Sequence, residues 1–148
     1  MELIIKKYDE LERDELYEIL HARAEVFIVE QNCPYQDLDR KDLGAYHIYM
    51  KEEGAIVGYL RVLDRGVSYA DSASIGRVIT TSRGRGRGIG LKLVLEGIRV
   101  AKEHFGADAI TISAQKYATG FYQKAGFVPT DDEYLEDGIV HVRMTMKL

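Results

Sequence analysis

The chain has 148 residues, of which 46% are hydrophobic and 30% charged, with a formal net charge of −4 and one cysteine, Cys33. This is the size of one ordinary domain, expected to span residues 1–148, and its balance is that of a soluble globular protein. No apolar run approaches the roughly 20 residues that cross a bilayer, no leader pattern opens the chain, and an acidic balance disfavours a broad nucleic-acid face, so a cytoplasmic protein without membrane or nucleic-acid partners is expected.

Glu2 to Tyr8 alternates as a first strand, and Asp9 offers an N-cap for the helix that follows. In that helix Leu16, Ile19, Leu20, Arg23 and Phe27 share one stripe, which puts an arginine on the face that should point inward. Glu30 to Lys41 reads as an acidic loop broken by Asn32 and Pro34. Ala45 to Lys51 and Ala55 to Leu63 form a hairpin around Glu52-Glu53-Gly54. Ser74 to Thr80 is the next strand, with Ile75, Arg77 and Ile79 expected on one face.

Arg83-Gly84-Arg85-Gly86-Arg87-Gly88-Ile89-Gly90 then leads into the clearest helix of the chain, whose buried stripe is Leu91, Val94, Leu95, Ile98, Ala101 and Phe105. A glycine-rich turn that opens a helix is a phosphate cradle. The first-turn amides have no intrahelical acceptor, the positive end of the helix dipole favours an anion, and glycines let it approach the main chain. Gly106 stops this helix and Ala109 to Ser113 is a short apolar strand, which completes a parallel βαβ unit. Tyr117 to Ala125 gives one more helix, closed by Gly126, and Ile139 to Leu148 a final strand. A lone cysteine leaves no intrachain disulfide, and His21, His47, His104 and His141 lack metal-ligand spacing, so no metal is expected.

Arg85-Gly86-Arg87-Gly88-Ile89-Gly90 resembles the R/Q-x-x-G-x-G/A acyl-CoA pattern of the GNAT N-acetyltransferases, in the strand–turn–helix context that pattern requires. Gln115-Lys116-Tyr117-Ala118 followed by Phe121-Tyr122-Gln123-Lys124-Ala125-Gly126-Phe127 is similar to that family's second block, with Gln115 in place of its usual Asn. The segments 23–39, 74–78 and 134–141 resemble the ElaA-like branch, with Val140 where the branch often has Pro. The resemblance implies a mixed α/β fold of about six or seven strands and about four helices, splayed between the fourth and fifth strands. It implies acetyl-CoA as acyl donor, with Val78, Ile79 and Thr80 along its pantetheine and the turn Arg85, Gly86, Arg87, Gly88, Ile89, Gly90 and Leu91 on its pyrophosphate. Gln115 and Tyr122 complete that expected site. A small-molecule amine is the implied acceptor, and homodimers are frequent in the family.

On its residues alone Tyr122 is a core tyrosine on a helix stripe, and His141 a structural histidine in a strand. The resemblance casts Tyr122 as hydrogen-bond donor to the departing thiolate and His141 as general base, with Glu30, Asp37 and Glu136 in reserve. A phenol near pKa 10 gives up its proton to a thiolate near 8.5 only uphill, so hydrogen bonding rather than full transfer is expected of Tyr122. Arg23 and Arg77 among apolar neighbours need an anion, either the acidic stretch 30–42 or the carboxylate or phosphate of an anionic acceptor. Together with His141 they are the substrate-binding candidates. Two other outcomes fit the same pattern: an acyl-CoA-binding module without turnover, and an acyltransferase like the acyl-homoserine lactone synthases, which share this fold.

Overall fold

The computed structural model describes residues 1–148 as seven strands and three α-helices. Strands β1 (Glu2–Lys7), β2 (Tyr46–Glu52), β3 (Ala55–Leu63) and β4 (Ser74–Thr80) form an antiparallel sheet in sequence order. Strands β5 (Ala109–Gln115), β6 (Val128–Glu136) and β7 (Ile139–Lys147) form a second sheet with β7 in the middle. The two sheets touch through one parallel bridge, Ala73 to Ile110, beside a Ser72 to Thr111 hydroxyl pair at 2.7 Å. Beyond that seam β4 and β5 part, which is the expected splay.

Helix α2 (Ile89–Phe105) covers one face, burying Leu93, Val94, Val100 and Ala101 against Leu60, Ile75 and Ile110. Helix α1 (Arg13–Arg23) covers the other, with Ile19 and Ala22 against Tyr49, Ile56, Tyr59 and Ile79. Helix α3 (Thr119–Lys124) is short and closes the region between α2 and β5, where Phe121 meets Gly90.

Four sequence expectations are corrected. Helix α1 starts at Arg13 rather than after Asp9, because Glu12 and Glu15 form a capping box there while Asp9 lies in a 3₁₀ turn, Tyr8–Glu10. From Ala24 to Glu30 the same helix widens into a π-helix, so Phe27 does not continue an α stripe. The strand β6 escaped notice because its residues are mostly exposed and carry Pro129, Asp131, Asp132 and Glu133, a polar pattern that reads as loop. Finally, Ile75 and Ile79 do not share a face. Leu60 faces both Arg77 and Val78, a bulge with Arg77 at φ 52°, and the extra residue turns Ile75 toward α2 and Ile79 toward α1.

Candidate active site

Between the diverging ends of β4 and β5 lies a cavity of about 1080 Å³. Val78, Ile79 and Thr80 line it from β4, Gln115 from β5 and Tyr122 from α3. The turn before α2 closes one end with Gly86, Gly88, Ile89, Gly90 and Leu91, so the sequence brings these expected donor-site residues to one place.

The turn is built to present amides. Gly84 and Arg85 donate to the Thr81 carbonyl, and Lys92 is the first helical amide with a partner, the Gly88 carbonyl. The first-turn amides in between have no intrahelical acceptor. Gly88 caps α2 at φ 73° and Gly86 sits at φ 75°, left-handed positions that suit glycine. A Cβ at Gly84 would lie 2.3 Å from the Val57 carbonyl oxygen, so this turn docks on β3 only with glycine there. These free donors at a helix start, with no acidic side chain in the first turn of α2, fit the diphosphate of an acyl-CoA.

Arg85 and Arg87 do not line the cavity. Arg87 pairs with Glu52, Arg85 with Glu30, and Arg83 with Glu53. Three exposed ion pairs thus tie the turn to the β2–β3 hairpin and to the end of the π-helix, and the anion-binding capacity rests on the main chain.

Tyr122 is half-buried and packs edge-to-face against Phe121 and Phe127, with ring centroids 5.0 and 6.1 Å away. Burial, with Tyr117 nearby, pushes its phenol above the ordinary tyrosine range. At neutral pH it therefore keeps its proton.

His141 is buried on β7 and lines the same cavity, stacked on Tyr134 at 6.2 Å. Its Nδ1 donates to the Ile139 carbonyl at 2.8 Å, which leaves Nε2 as the basic nitrogen. Glu136 Oε2 stands 3.2 Å from that Nε2, placed to stabilise a proton held there. The Cys33 thiol donates to the Asp137 carbonyl at 3.6 Å and so fastens the β6–β7 turn to the loop after the π-helix.

Arg23 and Arg77 converge, but on Asp37. Arg23 donates through Nε to Asp37 at 3.1 Å and through Nη1 to Asp42 at 2.8 Å, and is completely buried. Arg77 donates from Nε to Asp37 at 2.7 Å and lies over the Tyr35 ring. Arg77 lines the cavity and Arg23 does not, so the anion that Arg23 needs comes from the chain's own acidic stretch, and the reading of Arg23 as a substrate ligand is corrected.

Sequence reasoning missed Arg61. It reaches Asp39 at 2.7 and 2.8 Å and Asp42 at 2.9 Å, and it lines the cavity. The available signal was the one that drew notice to Arg23 and Arg77, an arginine inside an apolar run. Burial by itself would raise the Asp39 carboxyl, but Arg61, the Lys41 amide and Arg77 outweigh it and hold that carboxyl well below the usual range. The loop 37–42 is thereby pinned as one wall of the cavity.

Residues 9–148 match the family model described as an acetyltransferase (GNAT) domain. The ElaA protein of Escherichia coli is 36% identical over 95% of this chain and 93% of its own length, and a Schizosaccharomyces pombe protein is 35% identical over 100% and 98%. Among solved structures, E. coli ElaA superposes with a TM-score of 0.91 at 34% identity, over 99% of this chain and 100% of its own. An acyl-CoA N-acyltransferase from Pseudomonas aeruginosa gives 0.89 at 35% identity, over 98% and 99%. A CoA-dependent acyl-homoserine lactone synthase, at 16% identity and a TM-score of 0.77, shares the fold alone. End-to-end likeness of this kind, on a cleft with these amides, makes the chain a member of the GNAT acetyltransferases in their ElaA-like branch, and an acyltransferase.

Proposed function

We propose that the protein transfers an acetyl group from acetyl-CoA to the amine of a small anionic molecule by direct attack within a ternary complex. The observation that carries this reading is the meeting, in one cavity, of the amide-rich turn before α2, the protonated phenol of Tyr122 and the Nε2 of His141 beside Glu136.

Acetyl-CoA supplies an activated acyl thioester and leaves as a thiol. The turn from Gly86 to Leu91 holds the diphosphate, and the main chain of Val78 to Thr80, on the strand edge freed by the splay, offers hydrogen bonds to an extended amide-bearing arm. Tyr122 donates a hydrogen bond where charge develops on sulfur, and its raised pKa keeps the phenol protonated through the step. His141 Nε2 takes the proton that the amine must lose, and Glu136 stabilises the imidazolium. Cys33 has no covalent part in this scheme, since its thiol is engaged with the Asp137 carbonyl.

Two measurements test the reading together. Calorimetry should detect acetyl-CoA binding to the folded protein, and thiol release should follow when amines are added. Binding without turnover across a broad amine panel would leave an acyl-CoA-binding module instead, and preference for long acyl or carrier-protein donors would favour a lactone-synthase-like enzyme. His141→Ala should flatten the rise of kcat/KM with pH. An unchanged profile would remove His141 as base.

A further inference from the structure

His141 lines the cavity from β7, the middle strand of its sheet. Two contacts at the edge of its ring hold it, Nδ1 on the Ile139 carbonyl at 2.8 Å and Nε2 beside Glu136 at 3.2 Å. Contacts at two nitrogens fix an axis and leave the ring free to tilt about it. The face of the imidazole needs a support as well.

Tyr134 supplies one. It is the register partner of His141 on β6, and the two rings lie nearly parallel, 17° apart in plane with centroids at 6.2 Å. On the other side of β7, Gln115 and Ser113 of β5 are the partners of His141 and Arg143, so all these side chains stand on one face of the sheet. Tyr134 reaches across that face. Its hydroxyl meets Ser113 Oγ at 2.5 Å, although β7 separates β6 from β5 and the two outer strands therefore lie about 10 Å apart. The phenol is a strap tied at both ends, through its backbone to β6 and through its hydroxyl to β5, with the His141 ring against it. Tyr134 does not itself line the cavity, whereas His141 and Ser113 do. It touches the base and not the space in which the base works.

We infer that Tyr134 is a positioning residue for acetyl transfer: tethered to Ser113 across β7, its ring holds the His141 imidazole in the orientation that keeps the proton on Nδ1 and leaves Nε2 bare. The inference rests on the reading of His141 as general base. A neutral imidazole carries one ring proton, and the bond from Nδ1 to the Ile139 carbonyl keeps it there only while the ring keeps its place. A ring that tilts loses that bond and places part of its proton on Nε2, and in that form it cannot take a proton from an amine.

The test joins a spectroscopic readout to kinetics. Long-range 1H–15N correlation at about pH 8.5, above the ordinary histidine range, reports which ring nitrogen carries the proton, with the His141 signals assigned by their loss in His141→Ala. The wild type should show His141 protonated on Nδ1, and Tyr134→Leu a mixture of the two tautomers. In thiol-release assays Tyr134→Leu should lower kcat about tenfold, the worth of one aromatic pair, with the acceptor KM and the calorimetric acetyl-CoA affinity near wild type. Tyr134→Phe keeps the ring and cuts only the tether, so kcat should fall about threefold, as it should in Ser113→Ala, and the double variant should be no worse than either single one. Should Tyr134→Leu fail to fold, this cycle decides, because each of its changes removes a single hydroxyl. Wild-type kcat and an unmoved Nδ1 proton in Tyr134→Leu, a raised acceptor KM with kcat intact, or Phe and Ala effects that multiply would each overturn the inference and leave the acetyl-transfer reading standing. No thiol release from the wild type across the amine panel would overturn that reading, and the positioning role with it.

Discussion

Tyr122 and Arg23 show how differently one polar group can be employed in an apolar setting. The phenol of Tyr122 has aromatic neighbours on its ring and no hydrogen-bond partner in the protein, so its donor is available to whatever enters the cavity. Tyr122→Phe should lower kcat by about ten- to a hundredfold, the worth of one hydrogen bond to a charged group, with acetyl-CoA affinity preserved. Wild-type turnover in that variant would exclude the donor role. Arg23 is the reverse case, every contact internal, and Arg23→Ala would open a buried void and leave Asp37 to Arg77 and Asp42 to Arg61 alone. The expected cost is about 3–5 kcal/mol, seen as a fall of about 10 °C in Tm. A Tm within about 2 °C of wild type would show that the buried network contributes little to stability. Glu15 gives the pH dependence. Burial alone would raise its carboxyl, but the Glu12 amide, Lys6 and the Tyr49 hydroxyl outweigh this and bring it to about 2. Since the folded value lies below the unfolded one, the contribution is whole above about pH 4.5 and is lost as pH falls toward 2. Glu15→Gln should therefore be less stable than wild type by about 1–3 kcal/mol at pH 7, with the gap closing by about pH 2 in acid unfolding curves.

The elements divide sharply in how readable they were. The existence of helix α2 and of its glycine turn was legible because periodicity and turn chemistry agree, but its buried face is rotated from the expected stripe: Leu95 is 50% exposed, while Leu93, Gly97 and Val100 are buried. The β2–β3 hairpin was legible for the same reason. The bulge of β4 was not, since an alternating Ile75-Gly76-Arg77-Val78-Ile79 run looks regular and only pairing with β3 shows that Leu60 opposes two residues. Nor was the π-winding of 24–30, whose hydrogen bonds, such as Cys33 to Ile28, depend on where the loop is anchored. The partners of Arg23 stayed ambiguous for a related reason: spacing offers Asp37, Asp39 and Asp42 alike, and three-dimensional packing chooses. The glycine turn yields a sharp prediction. Gly84→Ala puts a methyl 2.3 Å from the Val57 carbonyl, which must push the turn off β3. A loss of about 1–3 kcal/mol in stability and a clear drop in acetyl-CoA affinity should follow, whereas Gly120→Ala, where a Cβ meets nothing within 4 Å, should change neither much.

At the scale of the molecule, the cleft is the place where two sheets stop being one. The seam at Ala73 and Ile110 ties them at one end, and residues from both sheets line the space beyond it. A ligand that spans the gap adds contacts absent from the free protein, so acetyl-CoA at about one hundred times its Kd should stabilise the fold by about 2.7 kcal/mol, or roughly 5–10 °C in Tm. The absence of any shift would show that the cleft does not hold that ligand. The bulge in β4 belongs to this scale too. Were the strand one residue shorter there, the ladder with β3 would run uninterrupted and everything from Val78 onward would exchange its two sides, sending Ile79 toward α2 and Val78 toward α1. Insertions and deletions in β4 are therefore far more damaging than substitutions: the count of residues between Ser74 and Thr80, more than their identity, decides which atoms the wall of the cleft presents.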